Sequence, residues 1–115
     1  MSRLESMPPA SSSSVTHSPS SDAEIRAALI TLIGWSHDQN ALARKYQFAD
    51  FRDATAFMMR IAFDCEELGH HPEVRAVYGT VELRLRTHDA GDVVTSLDLN
   101  LAQRIELRAK RFGVR

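Results

Sequence analysis

Glu66-Glu67-Leu68-Gly69-His70-His71-Pro72 sets a carboxylate four residues before two adjacent imidazoles, with Gly and Pro bracketing the pair. Gly supplies a left-handed helix cap and Pro cannot continue a helix, so the pair stands where a helix stops and a strand begins. Such junctions often carry function. From the last helical turn the Glu66 carboxylate can reach an imidazole just past the cap, fixing its tautomer and raising its basicity. His88 closes an alternating stretch beside a turn-rich loop, and an antiparallel neighbour can bring that end next to His70 and His71. Three imidazoles and a carboxylate, with no Ser, Cys or Lys nucleophile nearby, suit proton transfer more than covalent catalysis.

Plainer readings stand beside this one. His70 and His71 can be exposed loop residues, and His88 a solvated side chain on the polar face of a strand. A metal site built from Glu66, His70, His71 and His88 is a further rival, disfavoured because adjacent His residues diverge in direction and Cys-rich zinc spacings are absent. The expectation is therefore no metal and no cofactor. Cys65 reads as a small core residue rather than an activated thiol. Trp35 reads as a packing anchor, and His17 and His37 receive no role.

The elements that must position these groups are legible from caps and periodicity. Ser21-Asp22-Ala23-Glu24 is a capping box, followed by Ile25, Ala28, Leu29 and Leu32 at helical spacing and by Gly34 at the end. A second helix starts near Asp50, with Phe51, Ala54, Met58, Ile61, Cys65 and Leu68 on one stripe and Gly69 as its cap. Phe57 and Phe63 fall off that stripe, which predicts a second buried face, against another subunit. Thr95 and Asp98 open a third helix with the stripe Leu97, Leu101, Ile105, Ala109 and Phe112, closed by Gly113. Arg108, Lys110 and Arg111 in its last turn suit a helix C-terminus.

Between the helices lie two hairpins. Trp35 to His37 and Ala41 to Phe48 flank the turn Asp38-Gln39-Asn40, and Val74 to Tyr78 precedes Val81 to Thr87, which alternates apolar and polar residues. The predicted order is α-β-β-α-β-β-α, a two-layer α+β sandwich with a four-stranded antiparallel sheet and its helices on one face.

The 115 residues suffice for one domain. Nine of the first 21 residues are Ser and three are Pro, so residues 1–21 read as a disordered tail and 22–115 as the folded domain. The tail has neither the apolar core of a secretory signal nor the Arg content of a transit peptide, which predicts a cytoplasmic protein. Fourteen Lys+Arg against fifteen Asp+Glu give a net charge of −1, which argues against a nucleic-acid partner. One cysteine excludes an intrachain disulfide. No apolar run reaches the about 18 residues that would span a bilayer.

Together these residues resemble the pterin-4a-carbinolamine dehydratases. The family's pattern is a carboxylate, three residues, His-His-Pro, five residues, an aromatic, nine residues, a His and later an Asp. Here it reads Glu66, His70-His71-Pro72, Tyr78, His88 and Asp98. Further similarity covers Gly34-Trp35, Leu42 to Phe51, Phe57-Met58, Thr87-His88-Asp89 and Asp98 with Leu101-Ala102, so it spans roughly Asp22 to Phe112.

The resemblance implies an α+β fold assembled as homodimers or homotetramers, and loss of water from a 4a-hydroxytetrahydropterin to give the quinonoid dihydropterin. It would link the chain to an aromatic amino-acid hydroxylase through recycling of tetrahydrobiopterin. Imidazoles, with an ordinary pKa of about 6.5, serve as acid and base near neutrality. Carried over by position, His70 and His88 are the acid/base pair and His71 holds the pterin ring. Glu66 orients His70, Pro72 fixes the turn, and Val74 and Asp89 complete the binding surface. Val74 stands where the family usually has Trp, a loss of stacking worth about 1 kcal/mol or more. The rival implied by the same resemblance is a non-catalytic pterin-binding, dimerisation or assembly cofactor.

Overall fold

A computed structural model describes residues 17–112 and residue 114. Helix α1 spans Asp22–Thr31, followed by β1 (Ser36–Asp38), β2 (Ala41–Gln47), α2 (Phe51–Leu68), β3 (Glu73–Val77), β4 (Thr80–Leu85), a 3-10 turn at His88–Ala90 and α3 (Ser96–Arg111). The observed order is the α-β-β-α-β-β-α of the sequence reading, with all strand pairings antiparallel. Residues 1–16, Gly113 and Arg115 lie outside the described residues, including most of the segment read as a tail and the Gly expected to close α3. Within that segment, the Ser20 N–H donates to Val94 O at 2.8 Å.

The sheet runs β1-β2-β4-β3, so the two hairpins meet through β2 and β4. Their register sets Leu42 opposite Leu85 and Tyr46 opposite Val81, which aligns the apolar residues of both strands on one face. Period-two alternation does the rest: Val81, Leu83 and Leu85 are buried, while Glu82, Arg84 and Arg86 take the outer face. Phe48 leaves β2 through a bond to Gly79 (N to O 2.8 Å), where a Cβ on residue 79 would sit 2.7 Å from Phe48 O. Only Gly permits that approach.

Helices α2 and α3 cover the apolar face. The stripe of α2 is rotated from the expected one: Phe57, expected off it, is completely buried, whereas Phe51 is 58% exposed. Phe57 stacks on Phe48 at 4.9 Å and meets Tyr46 at 5.2 Å and Phe112 at 5.9 Å between ring centroids. Aromatic contacts of this kind favour the Phe57 side of the helix. Phe63 stays 70% exposed, with Met59 beside it on the same outer side. Helix α1 ends at Thr31, earlier than Gly34, which instead sits at φ +91° in the turn to β1. Its apolar anchors Ile25 and Leu32 join the core as expected.

Two polar clamps tie the layers. Glu106 Oε1 accepts from Trp35 Nε1 at 3.0 Å and from the Tyr46 hydroxyl at 2.6 Å, and the Arg44 guanidinium lies 4.2 Å from the Tyr46 ring centroid. Burial, reinforced by the Glu106 carboxylate, raises the Tyr46 phenol well above its ordinary pKa, so it remains a donor. Asp64, 2% exposed on α2, receives Arg108 Nε and Nη2 at 2.9 Å each and Arg104 Nη1 at 3.2 Å from α3. Hydrogen bonds from Arg108, aided by Arg104, hold the Asp64 carboxyl below its usual range against the opposing effect of burial.

A depressed carboxyl contributes stability that is present above its unfolded pKa and lost as pH falls through its folded pKa. Asp64→Asn is expected to cost about 1–3 kcal/mol at pH 7. The gap in thermal midpoint between wild type and variant should then begin to narrow as pH falls below about 3.9, the ordinary Asp value at which the unfolded chain takes up its proton, and close as pH falls through the lower folded pKa of Asp64. Parallel melting curves from pH 7 to pH 3 check this, and a gap that stays constant would contradict it.

Candidate active site

Asp98 begins the site from beneath. It is completely buried in the first turn of α3, where its Oδ2 accepts the Thr95 backbone N–H at 2.9 Å as the carboxylate half of a capping box. The Thr87 hydroxyl donates to the same oxygen at 2.9 Å, and the Thr95 hydroxyl in turn meets Thr87 Oγ1 at 2.7 Å. Thr87 belongs to the extension of β4, bridged to Val93 across the 3-10 turn. The remaining oxygen, Oδ1, lies 2.5 Å from His70 Nε2. One carboxylate therefore joins the start of α3, the end of β4 and the residue after the cap of α2.

The chain reaches that carboxylate by a left-handed turn. Gly69 sits at φ +63°, ψ +33°, its N–H bonded to the carbonyls of Cys65 and Glu66, and His70 N–H donates to Cys65 O at 3.0 Å. His70 is buried at 9% exposure, whereas its neighbour His71 turns to solvent. With Asp98 as the acceptor of this bond, the His70 proton belongs on Nε2, and the neutral ring then keeps its lone pair on Nδ1.

The expected partner of Glu66 is corrected by this geometry. Its carboxylate lies 2.8 Å from His71 Nε2, not on His70, which Asp98 already holds. The reason is local: successive residues beyond the Gly69 cap point to opposite sides, and only His71 stays on the solvent side with Glu66. His88 opens the 3-10 turn as an exposed side chain, with Nδ1 paired to the Asp92 carboxylate.

A cavity of about 530 Å³ gathers His70, His71 and His88 with Pro72, Asp89, Thr87, Leu68, Leu97 and the Glu73–Arg86 ion pair. The strand end and the helix cap thus meet as the alternation suggested. Val74 is not part of this cavity. It lines an adjoining apolar groove of about 370 Å³ with Met58, Ile61, Cys65 and Glu66, and His71 and Pro72 form the wall between the two. Tyr78 lies in the β3–β4 turn at φ +53°, 83% exposed and outside the cavity. Burial pushes the Cys65 thiol up to about 11, as suits a core residue.

Two residues went unassigned in the sequence reading. Asp98 was visible as the N3 position of a capping box and as the last residue of the family pattern, yet its bond to His70 spans 28 positions and needs the folded chain. His17 carried no such signal, and the structure puts it on the wall of the same cavity.

Imidazoles held by separate carboxylates around one cleft form the class of site that can exchange protons with a small molecule. Comparison with known proteins narrows that class. Residues 18–107 match the family described as Pterin 4 alpha carbinolamine dehydratase. A provisionally named pterin-4-alpha-carbinolamine dehydratase from Opitutus terrae is 49% identical over 84 residues, covering 73% of this chain and 87% of the relative. One from Nitrobacter hamburgensis, named in the same way, is 47% identical over 91 residues, covering 77% and 89%. A crystal structure described as a transcriptional coactivator/pterin dehydratase from Brucella melitensis superposes with a TM-score of 0.75 at 34% identity, covering 79% of this chain and 98% of that one. The chain belongs to the pterin-4a-carbinolamine dehydratase family, and with it to the hydro-lyases.

Asp98→Ala is expected to lower stability by about 3 kcal/mol, because it strands a buried imidazole and two buried donors. Asp98→Asn keeps the shape but must turn an NH₂ toward either His70 or the Thr87 and Thr95 donors. Nitrogen NMR of the His70 ring should show a single Nε2-protonated tautomer in wild type and a tautomer mixture in Asp98→Asn. An unchanged tautomer would contradict the positioning role.

Proposed function

We propose that this chain dehydrates a 4a-hydroxytetrahydropterin to the quinonoid dihydropterin, as in the recycling of tetrahydrobiopterin, by histidine acid/base catalysis. The observation that carries this reading is the convergence of His70, His71 and His88 on one cavity, with His70 backed by a buried carboxylate. Dehydration removes the N5 proton, breaks the C4a–O bond and forms the N5=C4a double bond. One group accepts a proton while another donates to the leaving hydroxyl, so that water departs.

His70 and His88 take those two roles. The bond to Asp98 fixes the His70 ring and stabilises it when protonated, leaving Nδ1 to exchange protons with substrate. His71, held by Glu66, supports the pterin ring, Pro72 fixes the turn that separates the two imidazoles, and Asp89 offers an acceptor at the rim. Val74 lies beyond His71, where a pterin side chain leaving the main cavity would pass. No cofactor or metal is required by this chemistry.

The reading extends to assembly and setting. Phe51, Met59 and Phe63 form an exposed apolar face on α2, which favours a homodimer or homotetramer. A cytoplasmic enzyme serving an aromatic amino-acid hydroxylase is the setting we infer. No helix among the described residues is long and apolar enough to cross a membrane. The Brucella melitensis protein, described as a transcriptional coactivator as well as a pterin dehydratase, favours a second reading, a binding or assembly cofactor on the same fold.

Stopped-flow absorbance of enzymatically generated 4a-hydroxytetrahydrobiopterin tests the reaction. Wild type should accelerate its decay, with His70→Ala and His88→Ala each slower by about 100-fold or more. No acceleration at micromolar protein would favour the cofactor reading. Sedimentation of wild type against Phe63→Glu tests assembly: the variant should shift to a smaller species, and an unchanged mass would remove this face from the interface.

A further inference from the structure

The geometry points to His17 as a fourth imidazole of the site, a substrate-contact residue that lays a flat ring against the bound pterin. This rests on the proposed reaction and adds a residue from outside the His-His-Pro and His88 constellation. His17 precedes α1 by several residues, yet it lines the same cavity as His70, His71 and His88.

Its position is built rather than incidental. The Ser20 N–H donates to Val94 O at 2.8 Å, and Ser21 then locks the start of α1 through a capping box with Glu24 (2.7 and 3.1 Å). Between His17 and that anchor stands Ser18-Pro19. Proline fixes its own φ and biases the preceding residue to extended backbone, so few conformations separate the anchor from the cavity. Val94 itself adjoins Thr95, whose N–H binds Asp98, so the strap is fastened to the segment that holds the His70 carboxylate.

The cavity also has a use for the ring. Its described lining contains no Phe, Tyr or Trp, and Val74 is in the neighbouring groove. A pterin is a planar heteroaromatic that gains from stacking on a flat face, and imidazole can also offer one hydrogen bond from its edge.

The test uses the full chain in five forms: wild type, His17→Ala, His17→Phe, Ser20→Pro and the double variant of His17→Ala with Ser20→Pro. Thermal midpoints confirm folding, steady-state rates on the carbinolamine give kcat and KM, and fluorescence quenching by oxidised biopterin, which cannot react, gives Kd. His17→Ala should raise KM and Kd together by about 5- to 10-fold, the range of an aromatic contact, with kcat within about 2-fold. His17→Phe should recover most of the loss. Ser20→Pro, which removes the anchoring N–H, should reproduce His17→Ala, and the double variant should be no worse than either alone.

Wild-type KM and Kd in His17→Ala would overturn the inference, as would a His17→Phe as weak as His17→Ala or additive losses in the double variant. Failure of the proposed reaction reads out separately. Wild type would then bind oxidised biopterin without speeding dehydration, and Kd alone would still decide the His17 contact.

Discussion

The structure hinges on a carboxylate that never meets water. Burying Asp98 is costly unless both its oxygens find donors, and the chain supplies them from three elements: Thr95 N–H at the start of α3, the Thr87 hydroxyl after β4 and His70 Nε2, 28 positions away, after α2. Satisfying that one group obliges α3 to begin beside the end of β4, and obliges the turn after α2 to send His70 inward. The site is therefore assembled by the same bonds that close the fold. Half of the Asp98 carboxylate caps a helix, and the other half sets the tautomer of an imidazole.

Adjacent histidines acquire different characters from this arrangement. His70 is buried and backed by a carboxylate without solvent contact, while His71 is exposed and paired with an exposed Glu66. An ion pair in water is weak and screened, whereas a hydrogen bond made away from water is stronger and directional. The Gly69 cap is what separates the two, because a residue with a Cβ would be strained at φ +63°. His88 arrives on a different element, with its own carboxylate in Asp92, so each of the three imidazoles has a separate acidic partner.

The framework around the cavity is a balance of apolar packing and a few polar clamps. Tyr46, Phe48, Phe57 and Phe112 pack ring to ring beneath the sheet, and Glu106 and Asp64 draw α3 toward β2 and α2 through charged hydrogen bonds. By contrast, the Lys45–Glu82 and Arg75–Glu82 pairs on the outer sheet face are exposed and long, 3.8 and 3.7 Å, and contribute little. Apolar area on α2 remains outside this framework in Phe51, Met59 and Phe63.

Element types and order were legible in the residues because they depend on local physics. Capping boxes at Ser21 and Thr95, the Gly69 cap and the alternation from Val81 to Leu85 each act within a few residues, and all are found in the structure. The motif histidines were legible for the same reason. What sequence alone misjudged depends on contacts between distant segments: Phe57 is core because Phe48 and Phe112 meet it, and Glu66 serves His71 because Asp98 has already taken His70. Likewise, the pairing of β2 with β4, the exclusion of Val74 from the main cavity and the placement of His17 on its wall were decided only when the hairpins and helices closed on one another. Caps and periods are short-range and can be read along the chain; the partner of a buried charge is fixed by the whole fold.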